Sequence, residues 1–211
     1  MKWFSRREPA VEVTSIHRPW PVGVDYLALA EPGAAKNYER WAWFKLVSAA
    51  WYRDVLHEIH AQTGRVERFY GVEMALDGFF NSSASAFDAA AAGLVQAIEN
   101  RGPIPATSRV PAHHRSWPAA KRQASYAGVR LKCAAAVDAA LTGDQAAFPT
   151  GWLAQVRRLR NRVMPEGKAE PDVLKIPGQP AVDPVAYVDD SFERITALVD
   201  LVLREARAIE P

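Results

Sequence analysis

Cysteine is nearly absent from this sequence of 211 residues, since Cys133 is the only one. A single cysteine cannot form a disulfide within the chain, which favours a reducing cytoplasm over an oxidising compartment. No stretch approaches the roughly 18 uncharged apolar residues that a membrane span requires, and residues 1–9 lack the apolar core of a signal peptide. We therefore expect a cytoplasmic protein without a membrane segment.

Motifs for catalysis and for cofactor binding are also missing. The sequence has no glycine-rich phosphate loop, no Gly-x-Ser-x-Gly elbow, no Cys-x-x-Cys and no His-Glu-x-x-His. We predict no cofactor and no metal site. Asp54, His57 and His60 form the alternative metal set, although their spacing matches no known zinc helix. Cys133 lies in an alanine-rich segment, where a small buried hydrophobic side chain is the expectation.

The composition is that of an ordinary globular domain, with 49% hydrophobic and 24% charged residues. A chain of this length buries roughly 70% of the surface that its unfolded form exposes, so its core needs neither a metal nor a disulfide. Residues 1–35 contain four prolines and one short alternating run. We interpret them as an irregular N-terminal arm that precedes a helical domain at 36–211.

Hydrophobic residues recur at steps of three and four along most of that domain, which predicts an all-α antiparallel bundle of four to five helices. The predicted helices span residues 36–62, 66–100, 119–141, 150–164 and 190–208. Asp190 and Glu193 have the spacing of a capping box for the last helix. Residues 173–176 and 185–188 flank a Pro-Gly-rich connection and predict a small β-hairpin before that helix.

The net charge of +2 is unevenly distributed, because positions 102–170 carry +7 and the rest of the chain carries −5. In nucleic-acid-binding proteins, basic side chains contact phosphates and aromatic side chains stack on bases. The predicted binding residues are Arg109, Arg115, Trp117, Arg157, Arg158 and Arg162, with His113 and His114 as bases or ligands. The chain also has 19 arginines against 7 lysines and 37 alanines. Arginine clusters arise readily in such a composition.

Two acidic residues fall on a stripe of the second predicted helix that also carries apolar side chains. Asp77 and Asp88 are therefore candidates for partial burial, and a buried carboxylate requires a partner. Arg160 of the fourth predicted helix is the expected partner. We predict a structural ion pair between these helices, with the choice between Asp77 and Asp88 left open.

The string Leu159-Arg160-Asn161 resembles the signature helix of the HEPN superfamily, whose motif is Arg, a polar residue that is often Asn, a short spacer and His. Residues 75–88 are similar to the second helix of uncharacterised bacterial HEPN-like proteins. The resemblance implies a helical bundle and a homodimer. In active family members, Arg and His act together across the dimer in metal-independent RNA cleavage, which assigns Arg160 and Asn161 to the catalytic motif.

Pro165 stands where the family motif has histidine, and proline can neither accept nor donate a proton. We therefore expect a non-catalytic HEPN-like module that binds a partner and forms a homodimer. The aromatic side chains of the first predicted helix support a partner surface, because one buried face cannot hold them all. They are Trp41, Trp43, Phe44, Trp51 and Tyr52.

Two alternatives stay open. One is a metal-independent ribonuclease in which Arg160 works with His113 or His114 from the loop at 102–118. The other is sequence-nonspecific nucleic-acid binding through the basic region 102–170.

Overall fold

The regular structure is helical throughout the parts of the chain that the computed structural model describes, residues 34–61, 65–102, 104–160, 173–176 and 178–209. No β-strand is present in these ranges. The α-helices are α1 (Ala34–His60), α2 (Arg65–Arg101), α3 (Trp117–Tyr126), α4 (Ala134–Ala140), α5 (Trp152–Arg160) and α6 (Pro184–Ile209). The predicted all-α class is confirmed. Six helices are described where four to five were predicted.

Helices α1 and α2 form a long antiparallel pair. The Tyr52 ring lies against the backbone of Gly78, and Tyr38 lies against Gly93 further along α2. Because later positions in α2 meet earlier positions in α1, the two helices run in opposite directions. The prediction of both helices is confirmed to within two residues at each end. Neither segment has an internal proline, so the hydrogen-bond ladder is unbroken.

Helix α2 is the centre of the fold, since it packs against α1, α3, α5 and α6. Its large apolar side chains are completely buried, among them Phe79, Phe80, Phe87, Leu94 and Ile98. Such burial on several faces explains why its sequence is rich in alanine, which lets neighbouring helices approach closely. No described helix combines the length and the apolar character needed to cross a membrane.

The predicted helix at 119–141 is wrong, because the chain leaves the helix at Gly128 and forms α3 and α4 instead. Gly128 has a φ of +64°, and its N–H donates to the Ser125 carbonyl while the Val129 N–H donates to the Ala124 carbonyl. This pair of bonds is a Schellman motif, which ends a helix and favours glycine at this position. The split accounts for the additional helix.

The start of the last helix differs from the prediction. Helix α6 begins at Pro184, and the Asp183 carboxylate accepts the N–H groups of Val185 and Ala186 at 2.7 and 3.0 Å. Asp183 is therefore the N-cap and proline occupies the first helical position, where its missing N–H costs nothing. The predicted capping box is wrong, because Asp190 lies inside the helix.

The predicted hairpin between residues 173–176 and 185–188 is also wrong. Residues 185–188 form the first turn of α6. The bridge that the structure does contain joins Leu174 and Val182 in an antiparallel pair, with N–H to carbonyl distances of 2.8 and 3.0 Å. This single bridge closes the Pro-Gly-rich connection just before α6.

Three predicted features lie wholly or largely outside the described residues. The first is the N-terminal arm at 1–35, of which only the last two residues are described, as the start of α1. The second is the motif residue Asn161, and the third is Arg162 together with Pro165. Helix α5 is described as far as Arg160.

Candidate functional site

Arg160 lies in an ion pair with Asp88 of α2, at 3.8 Å between Nη1 and Oδ2. Arg157, one turn earlier on α5, approaches the other carboxylate oxygen of Asp88 at 3.3 Å and Asp144 at 3.7 Å. Asp77 forms no ion pair in the described part of the chain. Of the two acidic residues predicted to meet Arg160, the structure selects Asp88.

Burial raises the pKa of Asp88, although the positive charges of Arg157 and Arg160 oppose that rise. The carboxylate joins α2 to α5, and Asp144 extends the cluster to the connection between α4 and α5. About a quarter of each arginine side chain is exposed, with 25% for Arg157 and 28% for Arg160. The geometry is that of an ion pair between helices, as predicted from the sequence.

The structure does not bring Arg160 together with the loop histidines. Arg160 meets α2 at Asp88, whereas Arg115, adjacent to His114, meets α2 at Glu99. The two positions on α2 are separated by roughly 16 Å along the axis, at about 1.5 Å per residue. His113 and His114 are both exposed, and their rings contact each other at a centroid distance of 4.1 Å.

Arg115, predicted as a phosphate contact, is engaged inside the protein. Its Nη2 lies 3.1 Å from Glu99 Oε2, its Nε donates to the Val110 carbonyl, and its Nη1 donates to the Tyr38 hydroxyl. The other Glu99 oxygen accepts the Val110 N–H at 2.7 Å. These contacts fasten the connection before α3 to α2, so we correct the role of Arg115 from ligand binding to structure.

Trp117 is also not available for stacking on a base. Only 3% of this residue is exposed, and its indole N–H donates to Asp138 at 2.7 Å. Lys121 binds the same carboxylate oxygen at 2.8 Å. The first residue of α3 is thus an anchor to α4, because an indole is large enough to be buried while its N–H still finds an acceptor.

The other residues singled out from sequence are dispersed. Arg158 is half-buried, and its Nε has no hydrogen-bond partner among the described residues. His57 Nε2 lies 2.9 Å from Asp189 of α6, and Asp54 binds Arg53 at 2.9 Å. In the described ranges, no cluster of three or more His, Cys, Asp or Glu side chains has the arrangement of a metal site.

A pocket of about 660 Å³ lies between α3 and the connection that precedes it. We call it the α3 pocket. Its polar side chains include Arg109, His114, Ser116, Arg122 and Tyr126, and no carboxylate lines it. Tyr126 is 66% exposed, an unusual position for a large aromatic ring. The pocket therefore combines positive charge with an accessible aromatic face.

Five cations around α3 have no carboxylate within ion-pair distance among the described residues. We call them the basic surface: Arg101, Arg109, Arg122, Arg130 and Lys132. All five are exposed. The exposed arginines elsewhere in the described ranges are paired, namely Arg194, Arg204 and Arg207. A patch of unpaired cations concentrates positive potential and attracts anions.

Of the basic surface, the sequence singled out Arg109 alone. Arg122, Arg130 and Lys132 fall within the predicted basic region 102–170 without being named, and Arg101 lies outside it. Tyr126 was not predicted. The signal that locates them is the absence of acidic residues, because no Asp or Glu occurs between Glu99 and Asp138. Cations in such a segment can be neutralised only by residues distant in the chain. The net charge alone does not separate them from Arg157 or Arg160, which have partners on other helices.

Comparison of the chain with protein-family models, with curated proteins and with solved structures returns no match.

Proposed function

We propose that this protein binds nucleic acid through the basic surface and does not cleave it. The observation that carries the proposal is the clustering of five unpaired cations within one short acid-free segment. Unpaired cations repel each other, and a chain of phosphates would relieve that repulsion while releasing condensed counterions. The expected binding is independent of sequence, since flexible arginine and lysine side chains contact phosphates rather than base edges.

A polymer fits these cations better than a single small anion does. Arg101 lies at the end of α2, Arg109 precedes α3, and Arg130 follows it. Charges distributed over three segments match an extended row of phosphates. The exposed Tyr126 adds an aromatic face next to them, as in proteins that bind unpaired bases.

The absence of cleavage is part of the same proposal. Arg160 is the arginine that the HEPN-like resemblance assigns to catalysis, and Asp88 holds its guanidinium within the chain. His113 and His114 lie in the connection before α3, which is fastened to α2 at Glu99 and not at Asp88. Pro165 occupies the position of the motif histidine. These features support a HEPN-like module that binds without chemistry.

A labelled oligonucleotide and fluorescence anisotropy test the proposal directly. Binding should weaken steeply between about 50 mM and about 200 mM salt, with a logarithmic slope near −3.5 if all five cations contact phosphates of a single strand. The triple variant Arg109→Ala/Arg122→Ala/Arg130→Ala should lose most of the affinity and flatten the slope. Arg194→Ala, which removes an exposed cation paired with Asp190 on α6, is the matched control.

Two results would overturn the proposal. One is the absence of any binding to single-stranded or duplex oligonucleotides at about 50 mM salt, conditions under which phosphate contacts are strong. The other is equal affinity of the triple variant and the Arg194→Ala control. Release of shortened RNA products from the purified protein would contradict only the non-catalytic part, and Arg160→Ala would then identify the arginine responsible.

A second candidate function is homodimerisation through α1. Trp51 and Tyr52 pack against the core, whereas Trp41 and Trp43 remain 48% and 39% exposed. Exposed tryptophans are typical of protein interfaces. Sedimentation velocity over a range of concentrations tests this proposal, with a dimer expected for the native chain and a monomer for Trp41→Ser/Trp43→Ser. A monomeric native chain at all concentrations would overturn it.

A further inference from the structure

Helix α3 divides the basic surface into two sides. The α3 pocket is lined on the helix by Ala119, Arg122 and Tyr126, whose spacing of three and four residues places them on one face. The neighbouring flank of α3 presents Lys121 and Ser125 to a second cavity of about 690 Å³. The helix is therefore a ridge between two concave regions.

A groove of about 700 Å³ lies between the end of α2, the α3–α4 connection and α6. We call it the α6 groove. It shares the lining residues Val129, Arg130 and Lys132 with the cavity beside α3, so the two adjoin the same segment. Arg101 also lines the α6 groove, which thus holds three of the five members of the basic surface.

The other charged residues in the lining of this groove bind groups other than the side chains of Arg101, Arg130 and Lys132. Arg204 lines the groove but binds Asp200 at 2.8 Å. Glu205, the carboxylate in the lining, accepts the backbone N–H of Lys132 at 3.1 Å and so holds the connection in place. Both sides of the ridge therefore have unpaired cations in the lining of a concavity.

A rigid rod and a flexible strand would contact this ridge differently. A duplex is stiff over about 150 base pairs, so it would rest on the crest of α3 and leave the cations of one or both concavities without a phosphate. A single strand bends at every nucleotide and can follow a helix that is about 10 Å wide. Its unstacked bases can also use the exposed ring of Tyr126, which a duplex cannot offer without breaking its own stacking.

We infer that the nucleic acid is single-stranded and that it crosses α3, with its phosphates running from the α3 pocket to the α6 groove and one base stacked on Tyr126. This inference rests on the proposed nucleic-acid binding and names its substrate class. RNA and DNA share the chemistry on which it depends. Matched RNA and DNA strands in the experiment distinguish the two sources.

Strandedness and the role of Tyr126 are tested together by anisotropy. A single strand of about 16 nucleotides, within the site sizes of known single-strand binders, should bind more tightly than a blunt duplex of the same length. Tyr126→Ala should weaken binding of the single strand by roughly 5- to 160-fold, which corresponds to the loss of one stacked base. Tyr126→Phe should retain the affinity, and neither variant should change duplex binding.

The path across α3 is tested by two double variants, one on each side. Arg109→Ala/Arg122→Ala alters the α3 pocket, and Arg130→Ala/Lys132→Ala alters the α6 groove. With the long strand, each should lower the affinity and reduce the salt slope by about 1.4, the value for two phosphate contacts. A strand of about four nucleotides cannot reach both sides at once. Either double variant alone should therefore leave part of its binding intact, and the two combined should remove it.

Failure of the inference is distinguishable from failure of the proposed function. If the native protein binds duplex as tightly as single strand, or if the α6 groove variant leaves long-strand binding unchanged, the crossing path is overturned while nucleic-acid binding stands. If the native protein binds neither form, both proposals are overturned. Circular dichroism and urea unfolding of every variant establish that lost binding is not lost folding.

Discussion

Glu99 and Arg115 form a buried ion pair, 3.1 Å between Oε2 and Nη2, with 2% of the glutamate side chain and 13% of the arginine side chain exposed. The second carboxylate oxygen accepts the Val110 N–H. One carboxylate on α2 thereby holds both ends of the segment 110–115. Since His114 and the lining of the α3 pocket belong to this segment or adjoin it, the pair positions one wall of the candidate site.

Removal of the arginine from this pair should be strongly destabilising. Arg115→Ala leaves Glu99 charged and buried without its cation, and breaking such a pair costs about 3 kcal/mol or more. We expect urea unfolding to report that loss in the free energy of unfolding. Arg109→Ala, an exposed arginine of the same connection, is the matched control and should change the stability by less than about 0.5 kcal/mol. Equal effects of the two variants would contradict the structural role of Arg115.

Gly78 of α2 leaves the space that the Tyr52 ring of α1 occupies. A Cβ atom at this position would lie 2.3 Å from Tyr52 Cε1, well inside van der Waals contact. Gly78→Ala should therefore destabilise the protein by about 1–3 kcal/mol, despite the higher helix propensity of alanine. The substitution should cost less in a Tyr52→Ala background, where the obstacle is gone. Gly102→Ala, whose Cβ would be 3.9 Å from its nearest neighbour, is the control.

Gly128 ends α3 in a conformation that alanine adopts with difficulty. A Cβ here would meet nothing within 4 Å, so the cost of substitution is conformational rather than steric crowding. Gly128→Ala should lower the stability by about 1–2 kcal/mol, and Gly128→Asn by less, because asparagine tolerates a left-handed backbone better. Equilibrium unfolding of the two variants measures the difference. An alanine variant as stable as the native protein would contradict the Schellman ending of α3.

Asp138 should make the stability depend on pH in the acid range. Burial raises its pKa, but hydrogen bonds from Lys121 and Trp117 outweigh that effect and hold the pKa below its ordinary value. A carboxylate with a lowered pKa contributes stability above its unfolded pKa, and the contribution disappears as the pH falls through the folded pKa.

The destabilisation caused by Asp138→Asn should therefore be larger at neutral pH than near pH 3, about one unit below the ordinary aspartate pKa. Trp117→Phe removes one of the donors and should reduce this pH dependence. Thermal unfolding at a series of pH values gives the comparison. A difference between native protein and Asp138→Asn that stays constant from neutral to acid pH would contradict the prediction.

Cys133 should be unreactive in the folded protein. Its side chain is completely buried, and burial, reinforced by the charge of Glu205, raises the pKa of the thiol to about 11. The reactive species is the thiolate, so a disulfide reagent such as DTNB should modify native protein very slowly near neutral pH. In concentrated urea, the same thiol should react completely. Rapid modification without denaturant would place Cys133 at the surface.

The two long helices could be predicted from local pattern, whereas the segment after them could not. Periodicity and the lack of internal proline identify α1 and α2, but the alanine-rich run around Gly128 has the same local character on both sides of the break. The β-like pattern at 185–188 was misleading because Asp183 and Pro184 start a helix there. A cap of two residues thus decides the secondary structure of the four that follow.

The candidate site was only partly predictable, because the partners of its charged residues are distant in the chain. Arg115 and Trp117 have the composition of a nucleic-acid contact, but Glu99 and Asp138, 16 and 21 residues away, bind their polar atoms. The pairing of Arg160 with Asp88 was predictable in kind, since a partly buried carboxylate requires a cation. Which cations stay unpaired depends on tertiary packing, and the local sequence does not contain that information.

The unpaired cations give the molecule an electrical asymmetry that its net charge of +2 conceals. Paired charges cancel at short range, so within the part of the chain that the structure describes the unbalanced positive charge is concentrated near α3. The protein should therefore have a large dipole moment and approach a charged surface in one preferred orientation. On a cation-exchange resin it should be retained more strongly than another protein of equal net charge whose cations are all paired.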